Sequence, residues 1–208
     1  MAYSEYKDYS KTQLEKIFKL TIRLCNIIEV KNNSSSNFYQ EFQQKINRLA
    51  ARTRIANTNE ATRIGLLVAP ILVEASLIYN LGLFFEQPVE LVPEHNFALP
   101  HALNGAWDSV LTLDSLDFIN PIIAVVEVKP NRLSDGLGQC LAEMYAAWKK
   151  FNQNKVYGII TDGEAWEFLC LTDNQLLIHN SNCHISDVAE IIFNIGYIVQ
   201  EFLQSTNH

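Results

Sequence analysis

Three residues in this chain combine type and spacing in a way that could do chemistry: Asp108, Glu127 and Lys129. Glu127 and Lys129 close the apolar run PIIAVVEVK over residues 121–129. Side chains alternate across a strand, so Glu127 and Lys129 share one face and Val128 points the other way. Charges at the end of a buried run need a reason, because burying them unpaired is costly. A strand end beside a cleft is where a site would hold them. Asp108 lies in the preceding segment AWDSVLTL, residues 106–113. A turn over Leu116 to Ile119, centred between Asp117 and Phe118, sets position 108 across from position 127. A slip of one residue would turn Asp108 to the wrong face.

Two carboxylates and a lysine fit metal-assisted phosphodiester hydrolysis. Carboxylates are hard oxygen ligands suited to Mg²⁺, which keeps several of its waters. Such a metal polarises phosphate and acidifies bound water. A lysine adds positive charge where the transition state gathers negative charge, and can orient the attacking water.

The elements that must position these residues can be read from hydrophobic period and breakers. The pattern predicts a helix over about residues 11–30, with Leu14, Ile17, Phe18, Leu24 and Ile28 on one side. A second is expected over about 37–55, with Phe38, Phe42, Ile46 and Leu49 as its stripe. Between them Asn32 to Ser36 reads as a flexible connection. A third helix starts near Thr58, capped by Asn57 or Thr58, with Glu60 in its first turn and Pro70 kinking or restarting it. Strands follow at Leu83–Leu91, continuing toward Leu99, and at Ala106–Leu113 and Pro121–Lys129. The last opens as an apolar, largely β-branched run before its terminal charges, as a central strand buried on both faces should. A helix over about 134–151 carries Leu137, Leu141, Tyr145 and Trp148 inward. A strand at Val156–Thr161 turns at Asp162-Gly163 into Ala165–Leu171. A short strand at Leu176–His179 and a helix over 186–204 complete the chain. The step from Val126 through the helix to Ile160 should be a parallel crossover.

The ordered context resembles the PD-(D/E)XK nuclease superfamily. Asp108, followed after eighteen residues by Glu127-Val128-Lys129, resembles its signature, with Trp107 in place of the proline. Asn59-Glu60-Ala61-Thr62-Arg63 through Ala69-Pro70-Ile71-Leu72 is similar to the helix opening that core. Gly105 to Leu111 is similar to its Gly-x-x-Asp-x-x-Leu strand. Gly138-Gln139-Cys140-Leu141 and Tyr145 resemble the following helix, and Tyr157 to Gly163 with Trp166 the later strand and turn. The likeness covers roughly residues 57–172 and is closest to the nuclease module of type I restriction subunits and their stand-alone relatives.

The resemblance implies an α/β fold, a mixed sheet with an αβββαβ core flanked by helices, over residues 57–208. Residues 1–56 would be an N-terminal helical extension. It implies Asp108 and Glu127 as ligands of Mg²⁺ or Mn²⁺, helped by the main-chain carbonyl of Val128. Lys129 would hold the water or stabilise the phosphorane, and Gln139 would support the site from the helix. Glu60 would be the auxiliary acid, with Glu74 competing for that role.

Other features bound the reading. The chain has 208 residues and a net charge of −7, which does not by itself suggest a nucleic-acid partner. The exception is local. Residues 45–63 hold five basic residues and one acidic, and Lys45, Arg48 and Arg52 share a helix face that could meet DNA phosphates. A solvated face is the competing reading of that stripe. Cys25, Cys140, Cys170 and Cys183 form no CxxC, and the polar first residues carry no secretory pattern; both lead to the expectation of a cytoplasmic protein. Residues 64–85 are apolar enough to span a membrane, but Pro70, Glu74 and Asn80 favour a buried helix followed by a strand. His179, Cys183 and His184 are read as loop residues rather than a metal site. Three functions compete: a DNA endonuclease, a possible homodimer if it cuts both strands; a silent nuclease-fold module holding nucleic acid or a protein; and an unrelated α/β enzyme with a small phosphorylated substrate.

Overall fold

The computed structural model describes residues 1–29, 37–55, 59–94, 98–99, 101–119, 121–129 and 132–205. Its centre is a mixed eight-stranded sheet flanked by helices on both faces. The strands are β1 (Thr21–Cys25), β2 (Gly82–Leu91), β3 (Leu103–Thr112), β4 (Ile122–Val128), β5 (Lys155–Thr161), β6 (Ala165–Thr172), β7 (Gln175–His179) and β8 (Cys183–His184). Their order is β1-β7-β6-β5-β4-β3-β2, with β8 paired to β6. The β4–β5 and β1–β7 pairs are parallel, and the others are antiparallel.

β4 is buried at all seven positions, as its apolar β-branched run requires. Its alternation divides the core. Val126 and Val128 pack with helices α2 (Asn37–Ile55), α4 (Ala69–Tyr79) and α6 (Val188–Ser205). Val125 packs on the other face with α1 (Lys11–Phe18) and α5 (Leu137–Lys150). Position 127 therefore faces α5. The antiparallel ladder runs Ser109↔Val126, Val110↔Val125 and Leu111↔Ala124, the register expected from the turn. It shifts at Thr112, which pairs with Ile122.

The N-terminal expectation is corrected in one element. Residues 11–30 are not one helix: α1 ends at Phe18, Lys19 takes the left-handed conformation at φ 53°, and Thr21–Cys25 form β1 against β7. The β-branched pair Thr21-Ile22 suits a strand, and Leu24, expected on a helical stripe, is 66% exposed. The extension over 1–56 is thus not wholly helical, and it contributes to the sheet. A 3₁₀ turn over Tyr3–Asp8 buries Tyr3 and Tyr6 in the α5-side core.

The helix before β2 is built in three parts: α3 (Glu60–Arg63), a π-helical turn (Ile64–Val68) and α4. Asn59, not Asn57 or Thr58, supplies the cap, accepting from the Thr62 N–H at 3.0 Å; Asn57 and Thr58 lie outside the described residues. The π turn has a cause. Pro70 has no N–H, and its ring would strike the carbonyl four residues back. The chain widens ahead of it, and the Ala69 N–H reaches back five residues to Ile64 O. The run Glu60–Tyr79 is long and apolar enough to cross a membrane. Here Leu67, Val68, Ile71, Leu72 and Ala75 are buried in the core while Val73, Leu77 and Ile78 are exposed. The strand expected to continue from Leu91 toward Leu99 stops at Leu91. The connection at 32–36 lies outside the described residues.

Candidate functional site

Asp108 and Glu127 occupy the next step of the β3–β4 ladder beyond Ser109↔Val126. The Val128 N–H donates to Asp108 Oδ2 at 2.8 Å, tying the carboxylate to the neighbouring strand. On its other side β3 meets β2. Phe85↔Ser109 and Gln87↔Trp107 pair, and between them Glu86 sits opposite Asp108 at φ 50°. The left-handed Glu86 interrupts the ladder without changing its register, since Phe85↔Ser109 and Gln87↔Trp107 stay in step. The segment around Asp108 is thus held by β4 on one side and irregular on the other.

Glu127 is fully buried. Lys129 follows it just beyond β4, with its side chain 16% exposed, and its ammonium lies against Glu127 Oε1. Its own N–H is held by Thr161 O at 2.8 Å, so β5 fixes the strand end. Gln139, from the first turn of α5, joins the two. Its Oε1 accepts from Lys129 Nζ at 3.1 Å and its Nε2 donates to Glu127 Oε2 at 2.9 Å.

The approach of α5 depends on Gly136, in the 3₁₀ turn Leu133–Gly136 that leads into the helix. A Cβ there would stand 2.7 Å from Ile160 Cγ2 and 3.2 Å from Lys129 Cγ. Farther along, Gly138 lets the Tyr6 carbonyl sit where its Cβ would be. Sequence patterning alone identified neither role.

Sequence reasoning also missed Glu143. It lies one helical turn after Gln139, is fully buried, and accepts from Gln139 Nε2 at 3.2 Å. Its carboxyl also lies within hydrogen-bonding reach of Glu127, and the Lys129 ammonium meets Glu127 Oε1. A signal was present, since a charge four residues after Gln139 shares its helix face.

Burial and charge set the protonation of the site. Burial pushes Asp108 up to about 6 against the pull of the Val128 N–H, and Glu60 adds to the rise. Burial, then Asp108, raises Glu127, while Lys129 opposes. Glu143 is raised well above the carboxylate range by burial and by Glu127. Burial alone would lower Lys129, but Glu127 beside it outweighs that and holds it above its usual value. The ion pair favours two charges and burial favours a neutral Glu127. Enclosure, helped by Asp108, wins at the carboxyl, and attraction wins at the more open ammonium.

The structure therefore brings Asp108, Glu127, Lys129 and Gln139 together, with Val128 between. Glu60, half-buried, lies close enough for its charge to act on Asp108 and Lys129. The charge of Glu74 acts on Tyr39. Lys45, Arg48 and Arg52 are exposed on α2, which covers the face of the sheet opposite α5. The Arg54 side chain lies outside the described residues. Arg63 is tied down, donating to Asp162 O at 2.8 Å. His179 ends β7 and Cys183–His184 form β8, so these are strand residues rather than loop residues.

Among the described residues no three His, Cys, Asp or Glu side chains form a cage that could hold a metal. The donors available are the two carboxylates and the Val128 carbonyl. They are hard oxygens, and Glu127 Oε1 is held by the Lys129 ammonium. That set fits a small hard cation that keeps most of its water. Neither family models nor curated protein sequences match this chain.

Proposed function

We propose that this chain is a metal-dependent endonuclease of the PD-(D/E)XK type, with DNA as its substrate. The observation that carries the reading is the convergence of Asp108, Glu127 and Lys129 at one end of adjacent strands, in the expected register and on the α5 side. The strand order β5-β4-β3-β2, with a helix before β2 and another between β4 and β5, supports an αβββαβ core of the restriction-endonuclease kind.

In this reading Asp108, Glu127 and the Val128 carbonyl hold Mg²⁺ or Mn²⁺, whose charge polarises the phosphate and lowers the pKa of water. Lys129 could accept a hydrogen bond from the attacking water only if deprotonated. Glu127 holds it protonated, so it acts as the electrostatic stabiliser, with its ammonium where the phosphorane gathers negative charge. Gln139 keeps Lys129 and Glu127 in place. Glu60 adds negative charge near Asp108. Lys45, Arg48 and Arg52 offer a second, phosphate-binding surface on an otherwise acidic protein. One site cuts one strand, so cleavage of both would use two copies.

A second reading is a silent module of the same fold that holds nucleic acid or a protein. It is favoured by Glu127, which is wholly enclosed and already contacted by Lys129. Nicking of supercoiled plasmid in Mg²⁺ or Mn²⁺ tests the choice, with wild type, Lys129→Ala and Asp108→Ala side by side. Metal-dependent nicking lost in both variants is the expected result. No cutting by wild type of plasmid, single-stranded DNA or RNA would leave the silent module.

A further inference from the structure

Glu143 has no role in that reading, yet it is the most costly side chain in α5. The helix is buried from Leu137 to Ala147, and Glu143 is fully enclosed, with Gln139 and the Glu127 carboxyl within hydrogen-bonding reach. A methionine or leucine would fill such a position without desolvating a carboxyl, and replacing buried polar groups by well-packed apolar ones is often neutral or stabilising. The position calls for a reason other than packing.

The geometry supplies one. The Gln139 amide is nearly symmetric in shape, but its two ends have opposite polarity. Its oxygen meets Lys129 Nζ at 3.1 Å. Its nitrogen carries two hydrogens, one directed to Glu127 Oε2 at 2.9 Å and the other to Glu143 Oε1 at 3.2 Å. Glu127 comes from the strand and Glu143 from the helix one turn on, so the NH₂ group is held from two elements at once. With only Glu127 as acceptor the amide keeps one anchor on its nitrogen side and can swing about its side-chain torsions.

We infer that Glu143 is a positioning residue: by accepting from Gln139 Nε2 it fixes how that amide faces, with oxygen toward Lys129 and nitrogen toward Glu127. The inference rests on the nuclease reading for its consequence, the holding of a divalent cation at Asp108 and Glu127. Partners that orient ligating groups change metal affinity by about 10- to 100-fold when removed.

Two variants separate this role from simple packing. Glu143→Met keeps the volume and removes the acceptor. Glu143→Gln keeps an acceptor oxygen and removes the charge. For each, the side-chain N–H signals of Gln139 are followed by NMR for position and hydrogen exchange, and Mn²⁺ binding is titrated calorimetrically. The expected result is loss of protection of the Gln139 amide in Glu143→Met, with Mn²⁺ binding weakened about tenfold or more, and recovery of both in Glu143→Gln. Unchanged Gln139 signals in folded Glu143→Met would overturn the inference. So would a released amide with Mn²⁺ affinity intact. If Glu143→Met does not fold, Glu143→Gln decides: loss of the protected amide there overturns the inference. A wild type that takes up no Mn²⁺ sinks the nuclease reading instead, and the amide signals still decide whether Glu143 orients Gln139.

Discussion

The Val128 N–H donates to Asp108 Oδ2 across 2.8 Å, so a main-chain group of one strand holds the acid of the next. That bond lowers Asp108 while burial raises it, and burial wins, setting it near 6. The ordinary value is 3.8. A carboxyl raised by folding contributes stability that is complete below its unfolded value and lost as pH rises through its folded one.

Thermal unfolding with a chelator present should therefore show wild type losing stability between about pH 4 and pH 6 in part through Asp108. Asp108→Asn should flatten that share of the slope and abolish nicking. An unaltered slope in the variant would show that Asp108 is not the group titrating there.

Lys129→Met removes the cation lying against buried Glu127. The cost should be about 2–3 kcal/mol at pH 8, since breaking a buried pair strands its partner, and smaller at about pH 5, where Glu127 is protonated. Denaturant melts at the two pH values measure it. Nicking should fall by about 10²-fold or more. Equal loss of stability at both pH values would count against the pairing.

Gly136→Ala places a Cβ 2.7 Å from Ile160 Cγ2 and 3.2 Å from Lys129 Cγ. Overpacking of this kind costs about 1–3 kcal/mol, and here it also pushes the α5 start away from Lys129. Both the unfolding midpoint and nicking should drop. A variant as active as wild type would mean that the helix start has slack the packing does not show.

Exchanging Lys45, Arg48 and Arg52 together for alanine should weaken DNA binding alike across sequences. It should also reduce the slope of log affinity against log salt by up to about 3, close to one per lost phosphate contact. Anisotropy titrations over a salt series would read this. An unchanged slope assigns the stripe to solvent.

What the sequence disclosed depended on how local the cause was. β4 was legible because an apolar β-branched run of that length has few other uses, and the register followed from a single turn. The first helix was overextended because α1 ends on a left-handed Lys19, with no glycine to announce the stop. β1 exists through its pairing with β7, near the other end of the chain, and no window around Thr21 contains that partner. Asp108, Glu127 and Lys129 could be placed by alternation and the turn, and Gln139 only through the family resemblance. Spacing puts Glu143 on the face of Gln139, but a glutamate in a helix is ordinarily solvated, and only the packing around α5 encloses it.

The π turn over Ile64–Val68 also bears on how this chain can change in length. One residue of an α-helix turns it by about 100°. Loss of a single residue from that turn, such as exposed Gly65, whose position has no atom within 4 Å of an added Cβ, would let the coil relax to ordinary pitch. Ile71, Leu72 and Ala75 are seated in the core and act as the fixed end. Glu60 and Arg63, ahead of the turn, would keep nearly the same face, because the wide turn takes up the one residue that an ordinary turn does not need. A one-codon deletion there would thereby be absorbed within the helix and leave the acid that acts on Asp108 facing as before, whereas the same deletion in the regular helix after the turn would swing it by about 100°.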